Sequence, residues 1–300
     1  MKSLLIVNPA AGHGRSEDTL ALLHAALGPF VGEMLLTQER GDAEAAAYRA
    51  ASQPGDFDAV LVAGGDGTVN EVVNGLLRGQ PEGAPPLPLG LVPMGTQNVL
   101  AQELRIPQSN LPAIAEMLRA GRTRLVDVGK AGERYFLLMA GLGFDAAVVG
   151  DVLRPVKELI GPAAYAFALV GALAKYHSTS ICLKLDDEEV RSEAFLIVVA
   201  NAASYAYRQL RVAPFASLDD GWLDICVFER APSDRFGFAT QMMAALVRRH
   251  LRDPRVRYYR ARHIEIHSTP PISVQLDGDM HGQTPLRLEV VPRVLSVFVP

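Results

Sequence analysis

The chain has 300 residues, of which 49% are hydrophobic and 21% are charged, and its formal net charge is −4. This length and composition exclude an intrinsically disordered chain and favour two ordered domains, each able to bury a core, over one large domain. The negative balance argues against a nucleic-acid-binding protein, although the segment from Arg248 to His263 is strongly basic.

The first half of the chain alternates between short apolar runs and helical patterns. The patterns predict strands at 2–7, 32–36, 59–63 and 89–92, and helices at 17–27, at 42–52 and from about Val69 onward. This βαβαβ order predicts an N-terminal α/β domain with a mostly parallel sheet.

A polar or glycine-bearing loop follows each of these strands. Asn8 opens the loop after the first strand, Thr37 ends the second, and Asp66 and Thr96 follow the third and the fourth. In open α/β sheets ligands bind outside the carboxyl ends of the strands, so the four loops are predicted to form one site.

The loop after the third strand is Gly64-Gly65-Asp66-Gly67-Thr68. Its glycines let backbone N–H groups point at one anion at the start of a helix, and phosphate is the anion that this favours. Thr68 and Glu71 have the spacing of a capping box, which predicts a helix start at the turn and an exposed Asp66 suited to Mg²⁺. The alternative is a tight strand-to-helix turn with a solvated carboxylate.

From about residue 125 the pattern becomes β-rich and mostly alternating. It predicts strands at 124–128, 135–140, 179–185, 195–200, 223–228, 263–267 and 273–276, and helices at 159–176 and 233–251. A loop containing Gly141-Leu142-Gly143-Phe144-Asp145 is expected after the second of these strands. The apolar segment at 159–176 is too short to span a bilayer. The second half is therefore predicted to form an antiparallel sheet or a β-sandwich with a few helices.

Two carboxylate clusters stand in the second half, at 218–224 and at Asp277-Gly278-Asp279. Each contains an Asp-Gly pair beside an apolar run, and a hairpin turn is the plain interpretation of such a pair. Alternation along a strand would put Asp277 and Asp279 on one side, which suits one general base and one metal-binding or positioning group.

The cysteines and the N-terminus indicate the compartment. Cys182 and Cys226 match neither a zinc site nor a disulfide framework, which favours reduced core residues in a cytoplasmic protein. The first apolar run, 4–7, is too short for the hydrophobic part of a signal peptide.

Six motifs in order give the chain a family resemblance that covers almost its whole length. They are Asn8-Pro9-x-x-Gly12, Gly64-Gly65-Asp66-Gly67-Thr68-x-Asn70-Glu71, Pro93-x-Gly95-Thr96-x-Asn98, Gly141-x-Gly143-Phe144-Asp145, Ala213-Pro214 before Asp220-Gly221-x-Leu223-Asp224, and Asp277-Gly278-Asp279. With these motifs the chain resembles the diacylglycerol kinase catalytic-domain family of lipid kinases, which includes sphingosine and ceramide kinases and soluble bacterial homologues. The glycine turn alone would not distinguish it from NAD kinases.

The resemblance implies a nucleotide-binding α/β domain at 1–123 and a β-sandwich at 124–284, with the strands of 285–300 returning to the first domain. It also implies a cleft between the domains where the γ-phosphate of ATP passes to a lipid hydroxyl. The residues implied for ATP are Asn8, Thr37, Gly64, Gly65, Asp66, Gly67, Thr68, Asn70 and Thr96.

The resemblance further assigns metal and catalytic roles. Asp66 would lie near the Mg²⁺ of ATP, and Asp277 would be the general base, with Asp279 facing the same cleft. Asp220 would hold a structural Mg²⁺ together with the backbone carbonyls of Ser217 and Trp222.

The chain departs from the family pattern at three places. Asp279 stands where Glu is common, Gln97 stands where Ala or Gly is common, and Ala206-Tyr207-Arg208 replaces the glycine pair that usually follows Asn201. The last departure leaves the lipid acceptor open between diacylglycerol-like and sphingoid alcohols. An NAD kinase and a nucleotide- or lipid-binding module without turnover are the competing functions, and a homodimer is left open.

Seven arginines against one acid, Asp253, mark the segment 248–263. In one interpretation these arginines pair with acids elsewhere in the fold. In the other, Arg255, Arg257 and Arg260 dock the enzyme on an anionic membrane surface, with Tyr258 and Tyr259 at the interface. The second interpretation predicts a cytoplasmic protein that binds the inner membrane surface peripherally.

Overall fold

The structure is a computed structural model, and it describes residues 1–11, 17–144, 177–204, 211–230, 240–242, 244–245 and 247–300. The chain divides into two compact units, Met1–Val128 with Val291–Pro300, and Gly129–Val290. The strands β5 (Thr123–Ala131) and β15 (Leu286–Phe298) contribute residues to both units. The division therefore falls inside these two strands, whereas the bounds implied by the family resemblance lie near residues 123 and 285.

Parallel strands build the sheet of the first unit. They are β1 (Ser3–Val7), β2 (Val31–Leu36), β3 (Ala59–Gly64) and β4 (Leu89–Pro93), joined by the end of β15 in the order β2-β1-β3-β4-β15. Every residue of β1 and β3 is buried, because the central strands of a parallel sheet are covered on both faces. The strands lie where the sequence pattern predicts them.

Five helices accompany this sheet in the described residues. They are α1 (Glu17–Leu27), α2 (Asp42–Ser52), α3 (Asp66–Gly79), α4 (Val99–Glu103) and α5 (Leu111–Ala120). Right-handed crossovers put α1 on one face of the sheet and α2 and α3 on the other. Accordingly α2 packs on α3, and α1 packs on α5. The first pair is so close that a Cβ atom at Gly75 would lie 2.2 Å from the carbonyl oxygen of Glu44.

The second unit is built from antiparallel strands. They are β6 (Arg134–Phe136), β7 (Met139–Gly143), β8 (Thr179–Leu185), β9 (Glu188–Ala200), β10 (Leu223–Glu229), β11 (Val256–Ala261), β12 (His263–Thr269), β13 (Ser273–Leu276) and β14 (Asp279–Gln283). The long strand β9 pairs with β8 along its first half and with both β7 and β10 along its second half. The inward-facing side chains of these strands, among them Leu183, Val199 and Ile225, form one apolar core. This is the β-sandwich that the sequence predicts.

One prediction for this unit needs correction. Gly141-Leu142-Gly143 is part of strand β7 and not a loop, because Leu142 pairs with Ile197 of β9 on one side and with Val274 of β13 on the other. Strand β11 occupies part of the arginine-rich segment, and this agrees with the interpretation in which that segment forms an exposed strand face whose arginines pair with acids in the fold. Some of the predicted features lie outside the described residues. They are the glycines of the loop after β1, Asp145, the helix predicted at 159–176, Ala206-Tyr207-Arg208 and the start of the helix predicted at 233–251.

Two smaller observations complete the fold. Both cysteines are free thiols, Cys226 in the core and Cys182 only half-buried, so the prediction of two core cysteines is correct for one of them. No helix among the described residues is long and apolar enough to cross a bilayer.

Candidate active site

The four predicted loops follow the carboxyl ends of neighbouring parallel strands. Asn8 comes directly after β1, Thr37 after β2, Gly65 after β3 and Thr96 in the loop after β4. Backbone hydrogen bonds continue between neighbouring strands beyond their ends, from the N–H of Asn8 to the carbonyl of Ala63 and from the N–H of Thr37 to the carbonyl of Val7, both at 2.9 Å. The structure thus places the four loops along one edge of the sheet.

The side chain of Asn8 joins the first loop to helix α3. Its Nδ2 donates to Oγ1 of Thr68 at 2.8 Å, and its Oδ1 accepts from the N–H of Ala10 at 2.9 Å. Thr68 is buried in the first turn of α3, and the hydrogen bond from Asn8 fixes the position of its hydroxyl oxygen. The Asn-Pro motif and the glycine motif therefore form one connected structure.

The glycine loop after β3 contacts the loop after β4 through the backbone atoms of Gly64 and Gly65. The N–H of Met94 donates to the carbonyl of Gly64 at 2.9 Å, and a Cβ atom at Gly95 would lie 2.5 Å from Cα of Gly65. The side chain of Asn98 closes the second loop, since its Oδ1 accepts from the N–H of Gly95 and its Nδ2 donates to the carbonyl of Gly95, each at 2.8 Å. No side chain larger than hydrogen fits at Gly95 without moving the glycine loop.

Helix α3 begins at Asp66, with Gly65 as its N-cap and no side-chain cap. The predicted capping box is not formed, because Thr68 accepts from Asn8 and Glu71 accepts from the N–H of Gly41 at 3.1 Å. The first intrahelical bond runs from the N–H of Val69 to the carbonyl of Gly65 at 3.0 Å. The N–H groups of the first turn have no partner within the helix, and such groups at a helix N-terminus bind phosphate.

Asp66 is half-buried and not the exposed carboxylate that the sequence predicts. Its Oδ1 accepts from the N–H of Leu100 at 3.5 Å, at the start of α4. Burial raises the pKa of Asp66 above its ordinary range, and the N–H groups at residues 98–100 offset part of that rise. The carboxylate therefore holds the start of α4, and part of it remains accessible to solvent.

The other residues predicted for the nucleotide differ in their access to solvent. Thr96 is exposed and Thr37 is half-exposed at the edge of the sheet. Asn70 is buried, with its Oδ1 accepting from Nδ2 of Asn74 at 3.1 Å. The structure brings Thr37 and Thr96 to the loop edge. In contrast, the Asn70 side chain is buried and bonded to Asn74 of the same helix.

A cavity of about 250 Å³ lies beside the loop after β4. Its walls come from α1, from the end of β4 and from the start of α5, and they are mostly apolar, with Leu22, Leu23 and Ile114 among the lining residues. Neither its position nor its lining follows from a local motif, because the three elements are far apart in the sequence. It offers an apolar wall next to loops that suit phosphate.

In the second unit, Asp277 and Gly278 are the two central residues of the hairpin between β13 and β14. Both have positive φ, 49° and 91°, and Leu276 pairs with Asp279 across the turn. The Asp-Gly pair thus forms the hairpin turn that such a pair predicts. Asp277 lies in this turn and not in a strand, so strand alternation does not put it on the same side as Asp279. Asp279 begins β14 and is half-exposed.

The carboxylate of Asp277 accepts hydrogen bonds from three consecutive backbone N–H groups. Oδ2 accepts from Leu137 at 2.6 Å, and Oδ1 accepts from Leu138 at 2.9 Å and from Met139 at 3.0 Å. Of about four lone-pair sites on a carboxylate, three are therefore engaged within the fold. Asp277 holds the segment between β6 and β7 against the hairpin turn.

Two buried amides that no motif singled out support this arrangement. Gln275 accepts from the N–H of Gly278 at 2.6 Å, and Asn201 donates to the carbonyl of Leu137 at 2.8 Å. Both side chains are almost fully buried. A polar side chain at an otherwise apolar strand position is the sequence signal that could have identified Gln275, whereas Asn201 directly follows the last residue of β9.

In the Asp220 loop, the carboxylate that was predicted for a structural Mg²⁺ is engaged within the fold. One oxygen of Asp220 accepts from the N–H of Trp222 at 3.2 Å, and the other is in close contact with the guanidinium of Arg260. The hydroxyl of Ser217 donates to Asp219 at 2.9 Å. Within the described ranges, no group of three or more His, Cys, Asp or Glu side chains is arranged to hold a metal ion. Both oxygens of Asp220 thus have contacts within the fold, and the backbone carbonyls of Ser217 and Trp222 are the other two groups that were predicted for Mg²⁺.

The arginines of the basic segment separate into two groups. Arg255 pairs with Asp253 at 2.6 Å, Arg257 pairs with Glu229 at 3.4 Å, and Arg260 pairs with Asp220. These are the three arginines that the membrane interpretation uses, and each has an acidic partner in the fold. In contrast, Arg248, Arg249 and Arg252 are exposed, and none of them has an ion pair with a described acid.

Comparison with known proteins gives the same assignment for both halves of the chain. The model of the "Diacylglycerol kinase catalytic domain" family matches residues 2–131, and that of the "YegS C-terminal NAD kinase beta sandwich-like domain" family matches residues 139–299. The diacylglycerol kinase of Staphylococcus saprophyticus is 30% identical over 302 aligned residues, which cover 100% of this chain and 95% of the relative. That of Staphylococcus epidermidis is 30% identical over 301 residues, covering 100% and 92%.

Solved structures agree with the sequence relatives. A crystal structure of a diacylglycerol kinase from Bacillus anthracis superposes with a TM-score of 0.74 at 25% identity, covering 100% of this chain and 97% of the other. A second Bacillus anthracis structure assigned to the same activity superposes with a TM-score of 0.79 at 26% identity and the same coverage. The two matching families, the relatives and the connected glycine loops agree, and the chain belongs to the diacylglycerol kinase catalytic-domain family of lipid kinases.

Proposed function

We propose that the protein transfers the γ-phosphate of ATP to a hydroxyl group of a lipid, with a diacylglycerol-like or sphingoid alcohol as acceptor. The observation that carries this proposal is the connection of Asn8, Thr68 and the glycine loops at the carboxyl edge of the parallel sheet. Such an edge, with the N-terminus of α3 behind it, suits the phosphates of a nucleotide. The family membership supplies the reaction class.

In this proposal the first unit binds the nucleotide. The first-turn N–H groups of α3 and the backbone of the glycine loop bind the phosphates, while Asn8 holds Thr68 and Asp66 holds the loop after β4. Thr37 and Thr96 offer hydroxyl groups at the two sides of this loop edge. Asp66 would be the carboxylate that holds an Mg²⁺ ion bound with the nucleotide, and that ion would supply positive charge to the transferring phosphate.

We assign the general base to Asp279 and a positioning role to Asp277. A base needs an oxygen that faces the acceptor hydroxyl, whereas three lone-pair sites of Asp277 already accept backbone N–H groups. Asp279 follows in the same hairpin and remains half-exposed. Asp277 then acts through the turn, because its hydrogen bonds fix the backbone from which Asp279 projects.

A second candidate function is phosphorylation of NAD⁺. It is favoured by the match of residues 139–299 to a sandwich domain described as NAD kinase-like. Against it, the match of the first unit is to the diacylglycerol kinase catalytic domain, and the relatives along the full chain carry that name. A nucleotide-binding module without turnover is the third possibility.

Transfer of label from radiolabelled ATP separates these functions. The purified protein is assayed against diacylglycerol, monoacylglycerol, phosphatidylglycerol, ceramide and sphingosine in mixed micelles, and against NAD⁺, with Asp279→Asn as the inactive control. We expect label in a lipid product and none in NADP⁺. Label in NADP⁺ supports the second candidate, and nucleotide binding without transfer to any acceptor supports the binding module.

We also propose that the protein reaches its lipid by docking on an anionic membrane surface through residues 247–252, here called the basic edge. Arg249 and Arg252 are three residues apart across the 3-10 helix His250–Arg252, so their side chains align on one side while the His250 ring is buried on the other. Val247 is 63% exposed next to Arg248. An exposed apolar side chain among unpaired arginines suits the headgroup region of an anionic leaflet.

A further inference from the structure

We infer that the guanidinium group of Arg260 is the permanent cation of the Asp220 loop and takes the place of the structural Mg²⁺ that the family resemblance implies there. This inference concerns the stability of the second unit. It does not rest on the proposed phosphoryl transfer.

One guanidinium connects two carboxylates in this loop. A terminal nitrogen of Arg260 is in close contact with Oδ2 of Asp220, and Nε lies 3.5 Å from Oδ1 of Asp224. A planar guanidinium with several N–H donors suits such a bridge better than an ammonium group. The loop and strand β10 therefore share one positive charge.

The backbone register places Arg260 at this position. Asp224 of β10 and Arg260 of β11 are direct cross-strand partners in the antiparallel pair. Opposite charges at such a pair stabilise it, and the side chains need no loop movement to meet. The cross-strand register therefore places the two side chains side by side, although the Arg260 side chain is itself 41% exposed.

The indole ring of Trp222 supports the arginine from the loop side. The guanidinium carbon of Arg260 lies 5.7 Å from the ring centroid, and that of Arg262 lies 4.6 Å from it. Cations at these distances are attracted to the face of an indole ring. The backbone N–H of Trp222 also donates to Oδ1 of Asp220, so this residue contacts both partners of the ion pair.

Asp224 explains why the second unit needs a cation here. Its side chain is completely buried, and Oδ1 accepts from the hydroxyl of Tyr258 at 2.8 Å, while Oδ2 has no hydrogen-bond partner in the described part of the chain. A buried carboxylate without a positive neighbour is strongly destabilising. Arg260 supplies that neighbour from the adjacent strand.

A divalent ion at the same place would meet two obstacles. Mg²⁺ demands a near-octahedral set of oxygens, whereas the oxygens of Asp220 already accept the N–H of Trp222 and the guanidinium of Arg260. The ion would also bring two further positive charges next to Arg260 and Arg262. Both effects oppose binding as long as Arg260 is present.

The test compares thermal unfolding without nucleotide, in EDTA and in several millimolar MgCl₂, at ionic strength matched with NaCl. We expect the melting temperature of the wild type to be the same in both buffers within about 1 °C. Equilibrium dialysis with Mn²⁺ should give the same number of bound ions for the wild type and for Asp220→Asn. A Mg²⁺-dependent rise in the wild type that Asp220→Asn abolishes would overturn the inference.

Arginine variants test the other half of the inference. Arg260→Gln should melt several degrees below the wild type, and Arg260→Lys should recover part of the loss, because it restores the charge without the fork. The matched control is Arg287→Gln, since Arg287 pairs with Glu265 at 3.4 Å on another strand and its side chain is 84% exposed. Equal melting temperatures for Arg260→Gln and the wild type would show that Arg260 is not the stabilising cation. The dialysis and the wild-type buffer comparison decide the matter even where Arg260→Gln does not fold.

Discussion

The carboxylate of Asp277 accepts the N–H of Leu138 at 2.9 Å although 139 positions separate the two residues. This bond, with its neighbours at Leu137 and Met139, ties the hairpin turn of β13 and β14 to the segment between β6 and β7. An aspartate at a motif position can thus be required for activity without contacting the reacting atoms. Measurements of stability and of turnover can therefore distinguish an aspartate that positions the turn from one that acts as the base.

Asp279→Asn should lower kcat by about 10²-fold or more with unchanged nucleotide affinity, since it keeps the shape of the side chain and removes the proposed general base. Asp277→Asn should lower the melting temperature as well as kcat. Its amide group would face N–H donors, and lost hydrogen bonds to a charged group cost about 1.5–3 kcal/mol each. The measurements are steady-state kinetics and thermal unfolding of both variants. Full stability of Asp277→Asn together with an active Asp279→Asn would assign the base to Asp277.

Gly95→Ala should weaken ATP binding at least about tenfold, because the added Cβ would lie 2.5 Å from Cα of Gly65 and would push the glycine loop away from the phosphates. Isothermal titration with a non-hydrolysable ATP analogue measures this. Gly28→Ala is the matched control in the same unit, since the nearest side-chain atom to its added Cβ would be 3.9 Å away. If both variants bind the analogue as the wild type does, the contact between the two loops has no part in nucleotide binding.

Replacing Arg248, Arg249 and Arg252 together by glutamine should reduce partitioning onto vesicles containing phosphatidylglycerol by about 10²-fold, because each basic side chain contributes about 1 kcal/mol near an anionic surface. High salt should have a similar effect on the wild type. Co-sedimentation measures both, and activity on a short-chain soluble acceptor should persist.

The control for this experiment removes three arginines of the same unit that lie in exposed ion pairs, namely Arg191, Arg230 and Arg287. Exposed pairs add little to stability, so both triple variants should fold and carry the same net charge. Equal vesicle binding of the two variants would reject the basic edge as the docking surface. Retention of either variant on nucleic acid in place of vesicles would point to a different polyanion.

Local sequence patterns predicted the first unit well, because its strands and loops are each marked by residues that are neighbours in the sequence. The buried strands β1 and β3 are continuous apolar runs, and the polar loops that follow them lie at one edge by the geometry of parallel strands. The predictions that were wrong share another feature. The Thr68 and Glu71 spacing suits a cap, yet their partners are Asn8 and Gly41.

The same limit applies to the second unit. Asp277 finds its partners 138 to 140 positions away, and Arg260 finds Asp220 at a distance of 40 positions. Sequence spacing describes only what neighbouring residues can do for one another. The hydrogen-bond partners of these side chains are distant in the sequence, so they can be identified only from the folded chain.

The buried ring of His250 should make the stability of the protein depend on pH. Its Nε2 lies 2.8 Å from the carbonyl of Val212, so this nitrogen carries the hydrogen and donates it, and Nδ1 has no partner among the described residues. The ring is completely buried and stacks on Phe228 with centroids 6.0 Å apart. Burial lowers the pKa of His250 below its ordinary value near 6.5.

A pKa that is lower in the folded state than in the unfolded state means that unfolding takes up a proton in the interval between them. The stability that neutral His250 contributes is therefore complete above about pH 7.5 and is lost as the pH falls through 6.5 toward the folded pKa. His250→Gln keeps an N–H donor near Val212 and has no titrating group. Thermal unfolding between pH 8 and pH 5.5 should show the wild type above the variant at high pH, with a gap that narrows as the pH falls. A gap that stays constant across this range would mean that His250 stabilises the second unit by packing alone.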